Sequence, residues 1–367
     1  MIYFDSAATT LQKPLQVCEA AKTAMQTLSS PGRGGYAAAM HADEAVYDCR
    51  AQAAELFDAR PEEIVFTMNA THALNLAIKT LVSPGDRVVI SGFEHNAVVR
   101  PLYKLGAQTV IAGRTLFSPE DTLRAFDAAV TEDTKAVVCT HVSNVFGYEL
   151  PVQSIADLCH ARGVPFVLDA SQSAGILPVS LKKLHAAFLA MPGHKGLYGA
   201  QGTGILVCGQ LPETLIEGGT GSISALREMP GFLPDRAEAG TQNVCGICAL
   251  REGLRFIRQT GLDKIAAHER ALRLRLVQKL SAMADVRVYS AGHDQTGVVS
   301  FLLEGEDCEY TAQRLAAHGV CVRAGLHCAP LAHESAGSVK TGTVRVSFCA
   351  FNTEAETDTF AEILKNP

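Results

Sequence analysis

The chain has 367 residues, of which 47% are hydrophobic and 19% charged, and a formal net charge of −6. This is an ordinary globular composition with room for one large and one smaller domain, or for two of middling size, and it argues against a dedicated nucleic-acid binder, which carries a basic face. The opening MIYFDSAATT has no basic leader before an apolar stretch. No apolar run approaches the roughly 18 residues of a membrane span, so neither a secretory signal nor a membrane anchor is expected.

Short β-rich runs then alternate with helical periodicity. EIVFT (63–67) precedes a helix pattern from Thr71 to Leu81, and DRVVIS (86–91) precedes NAVVRPLYKL. KAVVCTH (135–141) precedes PVQSIADLCHARG, and VPFVLDA (164–170) and AAFLAM (186–191) follow. This spacing predicts βαβ units and a mostly parallel sheet flanked by helices. The Gly- and Pro-rich stretch 217–242 reads as loop. Beyond it the pattern changes to an amphipathic helix (263–281), strands VRVYS and GVVSFLL, a helix (310–318), a Cys328 loop, strand TVRVSFC and a final helix. That order predicts a smaller α+β domain. The expected division is 15–260 for the large domain, with 1–14 and 261–367 forming the small one.

Eleven cysteines are scattered along the chain. Without a signal peptide they read as reduced thiols of a cytoplasmic protein. Cys139 in KAVVCTHV is a small core residue. Cys245 and Cys248 form a C-x-x-C, but no second pair or His cluster with metal spacing accompanies it. They read more simply as first-turn residues of an apolar helix, and no metal site is expected. Cys328, in VRAGLHCAPL, has Arg323 upstream and His327 beside it. On its own this is either a thiol near two cations or a small residue in a loop.

In a parallel sheet, ligands bind beyond the carboxyl ends of the strands. Asp169 closes one apolar strand, and Lys195 follows the next, 26 residues later. The pair suits pyridoxal phosphate, whose Schiff base needs a lysine amine and whose pyridine nitrogen needs an acid. An aspartate cap and a surface lysine would give the same pair. Thr71 at a helix start can face a phosphate or merely cap the helix. His95, just past a strand, can stack on a planar ring or be structural, and Asn144 also follows a strand. Their convergence on one sheet edge favours a common ligand.

Several motifs go further: YFDSAATT, EEIVFTMNATHALNLAI, EHNAVVRP, HVSNVFG, VLDASQSAG, GHKGLYGAQGTGIL, EAGTQN, RAGLHCAP and VRVSFCAFNT. In this order and spacing the chain resembles, nearly end to end, the class V, fold-type I pyridoxal-phosphate enzymes. More narrowly, it is similar to the group II cysteine desulfurases and selenocysteine lyases. The resemblance implies that Lys195 is the Schiff-base lysine, that Asp169 pairs with the pyridine nitrogen and Gln172 with the ring hydroxyl, and that His95 stacks on the ring. Thr71 and His194 would bind the phosphate, and Thr241 would reach the phosphate of a neighbouring subunit, which implies a homodimer. Asn144 and Arg345 would hold the substrate carboxylate. Arg323 would assist at the mouth of the Cys loop or form a structural ion pair. Cys328 would carry the persulfide; Arg323 and His327 are the cations that would favour its thiolate, the alternative being a His327 that points away.

The implied activity is removal of sulfur from L-cysteine, giving L-alanine and sulfur for an acceptor protein, as in Fe–S cluster assembly. L-selenocysteine is the alternative substrate; another class V reaction or a non-catalytic scaffold are the remaining ones. The sequence departs from the family pattern in places. Pro192 stands where a phosphate-binding Ser is usual, Gln242 replaces Pro, Leu326 replaces His, and CAP is one residue short. Tyr36, in GRGGY, lies near where a His is expected, and GGTGS (218–222) is unlike the best-known members.

Overall fold

The computed structural model describes residues 1–32 and 34–365. Arg33 of the GRGGY stretch therefore lies outside the described residues. The chain opens on a short strand, β1 (Ile2–Tyr3), and two successive helices, α1 (Leu15–Thr27) and α2 (Ala37–Phe57). Regular alternation follows: β2 (Ile64–Thr67), α3 (Ala70–Leu81), β3 (Arg87–Ser91), α4 (Asn96–Leu105) and β4 (Gln108–Ala112). It continues with α5 (Pro119–Ala129), β5 (Thr134–Thr140) and α6 (Val152–Ala161). Next come β6 (Phe166–Asp169), β7 (Phe188–Pro192) and β8 (Gly204–Cys208), joined by turns.

These strands form a seven-stranded sheet in the order β2-β8-β7-β6-β5-β3-β4. Only β8 runs against its neighbours. Every residue of β6 and β7 is buried. Helices cover both faces, so these central strands are continuous apolar runs rather than alternating ones. Small residues bring α1, α2 and the next helix, α7 (Val244–Thr260), together: Ala24, Ala45 and Cys248 share one cluster. Cys245 and Cys248 lie on the first turns of α7, as the apolar-helix reading expects.

Helix α8 (Leu262–Ser281) leads into β9 (Val286–Tyr289), β10 (Val298–Leu303), α9 (Cys308–Ala317), β11 (Val320–Cys321) and β12 (Arg323–Gly325). Then come α10 (Pro330–Ala336), β13 (Thr343–Ser347) and α11 (Glu354–Lys365). Four of these strands form an antiparallel sheet, β12-β13-β10-β9. Leu272, Leu276, Phe301 and Phe360 fill its core, and Phe4 from the chain's start joins them. β1 pairs in parallel with β11, so the first residues belong to this smaller layer. Among the described residues no helix is long and apolar enough to cross a membrane, and no cluster of His, Cys, Asp and Glu could hold a metal ion.

Candidate active site

Strand ends deliver the site. Asp169 is the last residue of β6 and is 2% exposed. Lys195 lies in the turn that follows β7. That turn is set against the one after β6 with no side chain between them. A Cβ on Gly175 would fall 2.1 Å from the Gly196 carbonyl oxygen, and one on Gly196 would fall 2.4 Å from that of Ala174. Glycine alone permits this approach, and Gly175 also has φ +84°.

Beside this turn is a cavity of about 110 Å³ lined by Thr71, His95, Asn144, Asp169, Gln172, His194 and Lys195, with Asn69 and Pro192. Seven residues singled out in the sequence thus meet in one place. Burial brings the Lys195 amine down to about 8, although Asp169 pulls the other way. His95 caps α4: its Nδ1 accepts the Ala97 N–H at 3.0 Å, which leaves the proton on Nε2. Burial takes its imidazole down to about 4, so the ring is neutral. Burial also takes His194 down to about 4, and its Nδ1 lies 3.0 Å from the Thr9 hydroxyl.

The donor set fits pyridoxal phosphate. One Asp169 oxygen accepts the Ser171 N–H at 2.9 Å, and the other has no hydrogen-bond partner among the described residues. A buried carboxylate with a spare oxygen suits a protonated pyridine nitrogen. Thr71 is the second residue of α3, where unpaired N–H groups and the helix dipole favour a phosphate. The helix is capped by Asn69, which accepts the His72 N–H at 2.9 Å, so Thr71 is not itself the cap. Pro192 lines the cavity but carries no donor, so the hydroxyl usual at this position in the resembled family is missing.

The Cys328 loop is tied to the cavity wall at Asn144. Asn144 Nδ2 donates to the His327 carbonyl at 2.8 Å, and the Asn96 N–H at the start of α4 donates to the Cys328 carbonyl at 2.8 Å. His327 and Cys328 both have positive φ, 52° and 56°. Left-handed backbone costs a non-glycine residue about 1–2 kcal/mol, and the two pinned carbonyls offset that cost. Cys328 is exposed, and Arg323 Nη2 lies 3.8 Å from its Sγ.

Of the two arrangements the sequence left open for His327, the structure has the one in which it is engaged away from the thiol. It is buried, its Nε2 donates to the Arg323 carbonyl at 3.2 Å, and its ring stacks on His333 at 5.7 Å. Burial holds it well below the usual imidazole range, so it carries no charge to offer. Arg323 is left as the nearby cation.

Arg345 is 1% exposed and lies on β13 directly opposite Arg323 on β12. Its Nη1 donates to the Asn144 carbonyl at 2.9 Å and its Nη2 to Asp5 Oδ1 at 2.6 Å. Thr241 is elsewhere, exposed on the rim of a separate cavity of about 300 Å³ with Arg50, Glu238 and Gln242. Two functional candidates escaped the sequence reading. Glu94, next to His95, is fully buried; its Oε1 accepts N–H groups from Ser91 and Thr140, and burial pushes its carboxyl up to about 8. An acid inside the strand-end stretch SGFEHNAV was the available signal. Asp5, the partner of Arg345, gave none, because the two are 340 residues apart.

The aminotransferase class-V family pattern matches residues 2–360. A probable cysteine desulfurase of Methanothermobacter thermautotrophicus is 32% identical over 378 residues, covering 99% of this chain and 94% of that protein. One from Mycolicibacterium paratuberculosis is also 32% identical over 380 residues, but the chain spans only 55% of its length. Among solved structures, the apo cysteine desulfurase of Thermococcus onnurineus NA1 superposes with a TM-score of 0.91 at 32% identity, covering 99% of this chain and 94% of that one. Strand order, a lysine and an aspartate at adjacent strand ends, and similarity along the whole length agree: the chain belongs to the class-V aminotransferase family.

Proposed function

We propose that this chain is a pyridoxal-5'-phosphate-dependent cysteine desulfurase that takes sulfur from L-cysteine, releases L-alanine and carries the sulfur as a persulfide on Cys328. One observation carries the reading. An exposed thiol beside Arg323 stands on a loop fastened to Asn144 and α4, which also form the wall of the Lys195 cavity.

Pyridoxal phosphate bound there would supply an electron sink for the substrate's Cα–H and Cβ–S bonding electrons. Asp169 would hold the proton on its ring nitrogen, Gln172 would meet its hydroxyl, and His95 would lie against the ring as a neutral imidazole. Thr71, His194 and the first N–H groups of α3 would hold the phosphate. Arg345 and Asn144 seat the substrate carboxylate, which a guanidinium grips in two places. Lys195, its amine brought near neutral range by burial, takes the proton from the substrate Cα. The Cys328 thiolate attacks the substrate sulfur. An S–S bond forms as the Cβ–S bond breaks, the bonding pair stays with Cβ, and a proton on Cβ completes alanine.

The sulfur would pass to an acceptor protein. Exposed Thr241, remote from its own chain's Lys195 cavity, supports a homodimer in which it reaches the neighbouring subunit's phosphate. The seven- and four-stranded sheets support a large domain of 15–260 and a small one of 1–14 and 261–367. Eleven free thiols support a reducing, cytoplasmic setting.

The test is alanine release by the purified holoenzyme from L-cysteine and from L-selenocysteine, for wild type, Cys328→Ala and Lys195→Ala. Desulfuration of cysteine is expected to collapse in Cys328→Ala, and Lys195→Ala is expected to lose the lysine-linked visible absorbance. Undiminished alanine release from cysteine in Cys328→Ala overturns the persulfide route. Turnover of selenocysteine alone makes the enzyme a selenocysteine lyase.

A further inference from the structure

Residues 5–10, the stretch DSAATT, cross from one end of the site to the other. At the near end, Asp5 bridges to Ser347 on β13, and Ala7 N–H donates to the Ser347 hydroxyl at 2.8 Å. In the middle, Gln172 Nε2 donates to the Ala7 carbonyl at 3.0 Å. At the far end, the hydroxyls of Thr9 and Thr10 donate to the His194 carbonyl at 3.2 and 3.0 Å. One short segment therefore touches the strand of Arg345, the ring-binding Gln172 and the residue next to Lys195.

Asp5 is where this strap holds the guanidinium. Arg345 is buried and faces a like charge, Arg323, across the strand pair. A buried cation needs a partner, and Asp5 makes the only salt bridge to Arg345 among the described residues. With Nη2 on Asp5 and Nη1 on the Asn144 carbonyl, the guanidinium plane is fixed at two corners. Its Nε is buried with no partner among the described residues, a donor left over for an incoming acceptor.

We infer that Asp5 is a positioning residue for substrate recognition: it fixes Arg345 so that the guanidinium, with its unpaired Nε–H, is held for an α-carboxylate, and it ties that seat to the Lys195 turn through residues 5–10. This rests on the desulfurase reading, in which Arg345 takes the carboxylate. Releasing Asp5 frees a buried guanidinium to turn, so carboxylate binding suffers while the chemistry at Cys328 does not.

The experiment compares holoenzyme of wild type, Asp5→Ala and Asp5→Asn. Asp5→Ala is expected to raise the KM for L-cysteine by about tenfold or more, the worth of a charge-assisted hydrogen bond, with kcat within about threefold of wild type. Asp5→Asn, which keeps an acceptor oxygen but not the charge, is expected to fall between the two. Cysteamine, which is L-cysteine without its carboxylate, is expected to bind all three alike when followed by cofactor absorbance. An unchanged KM, tighter cysteine binding in the variants, or an equal loss for cysteamine each overturns the inference. A wild type that does not turn over cysteine defeats the desulfurase reading instead; the absorbance-derived Kd for L-cysteine then replaces KM, and Asp5 is still tested.

Discussion

Asn144 holds the carbonyl of His327 at 2.8 Å, while its own carbonyl takes a hydrogen bond from Arg345 at 2.9 Å. One side chain and its peptide thus connect the Cys328 loop to the guanidinium. Asn144→Ala leaves the His327 carbonyl unpaired, at a cost of about 1–3 kcal/mol. The loop then leaves its left-handed conformation more often. The expected result is faster amide hydrogen exchange in residues 324–329 and a fall in kcat/KM for L-cysteine of about tenfold or more.

Arg50 and Glu238 make a buried ion pair at 2.8 Å, with side chains 7% and 3% exposed. Glu238 also accepts the Phe66 N–H at 2.6 Å and a hydrogen bond from Gln242. The pair pins the loop that carries Thr241 to α2 and β2. Arg50→Met strands the Glu238 charge, and removing one partner of such a pair costs about 3–5 kcal/mol. A lower denaturation midpoint is expected, together with weaker retention of the cofactor if Thr241 meets a neighbouring subunit's phosphate as proposed. Glu238→Gln in the Arg50→Met background recovers part of the stability, read from the same denaturation curve.

Glu269 on α8 is 2% exposed, and burial pushes its carboxyl from the ordinary 4.5 up to about 8. The folded chain keeps this proton to a higher pH than the unfolded chain does. Its stabilising share is therefore full below pH 4.5 and is lost as pH rises toward 8. Glu269→Gln removes the titration. The thermal midpoint of the apo protein is expected to fall less between pH 5 and pH 8 in the variant than in wild type, and identical slopes would refute the assignment.

The sheet edge that gathers the candidate site residues was legible because its signals are local. Asp169 and Lys195 stand directly after apolar runs, and Thr71 starts a periodic helix. Helices α1 and α2 went unread because no strand separates them. β4 is exposed at its first two residues, so it lacks the buried run that marked its neighbours. The orientation of His327 and the Asp5–Arg345 pair depend on contacts between distant segments, which no local pattern encodes.

The span of that pair has a consequence for synthesis. During synthesis, residues nearer the N-terminus emerge earlier, and units made first fold first. Strands β2 to β8, which frame the Lys195 cavity, can assemble before the last third of these residues appears. Asp5, however, must wait for Arg345, and β1 for β11. The Asp5–Arg345 contact thus forms only after Arg345 has been made, later than the strands around the Lys195 cavity.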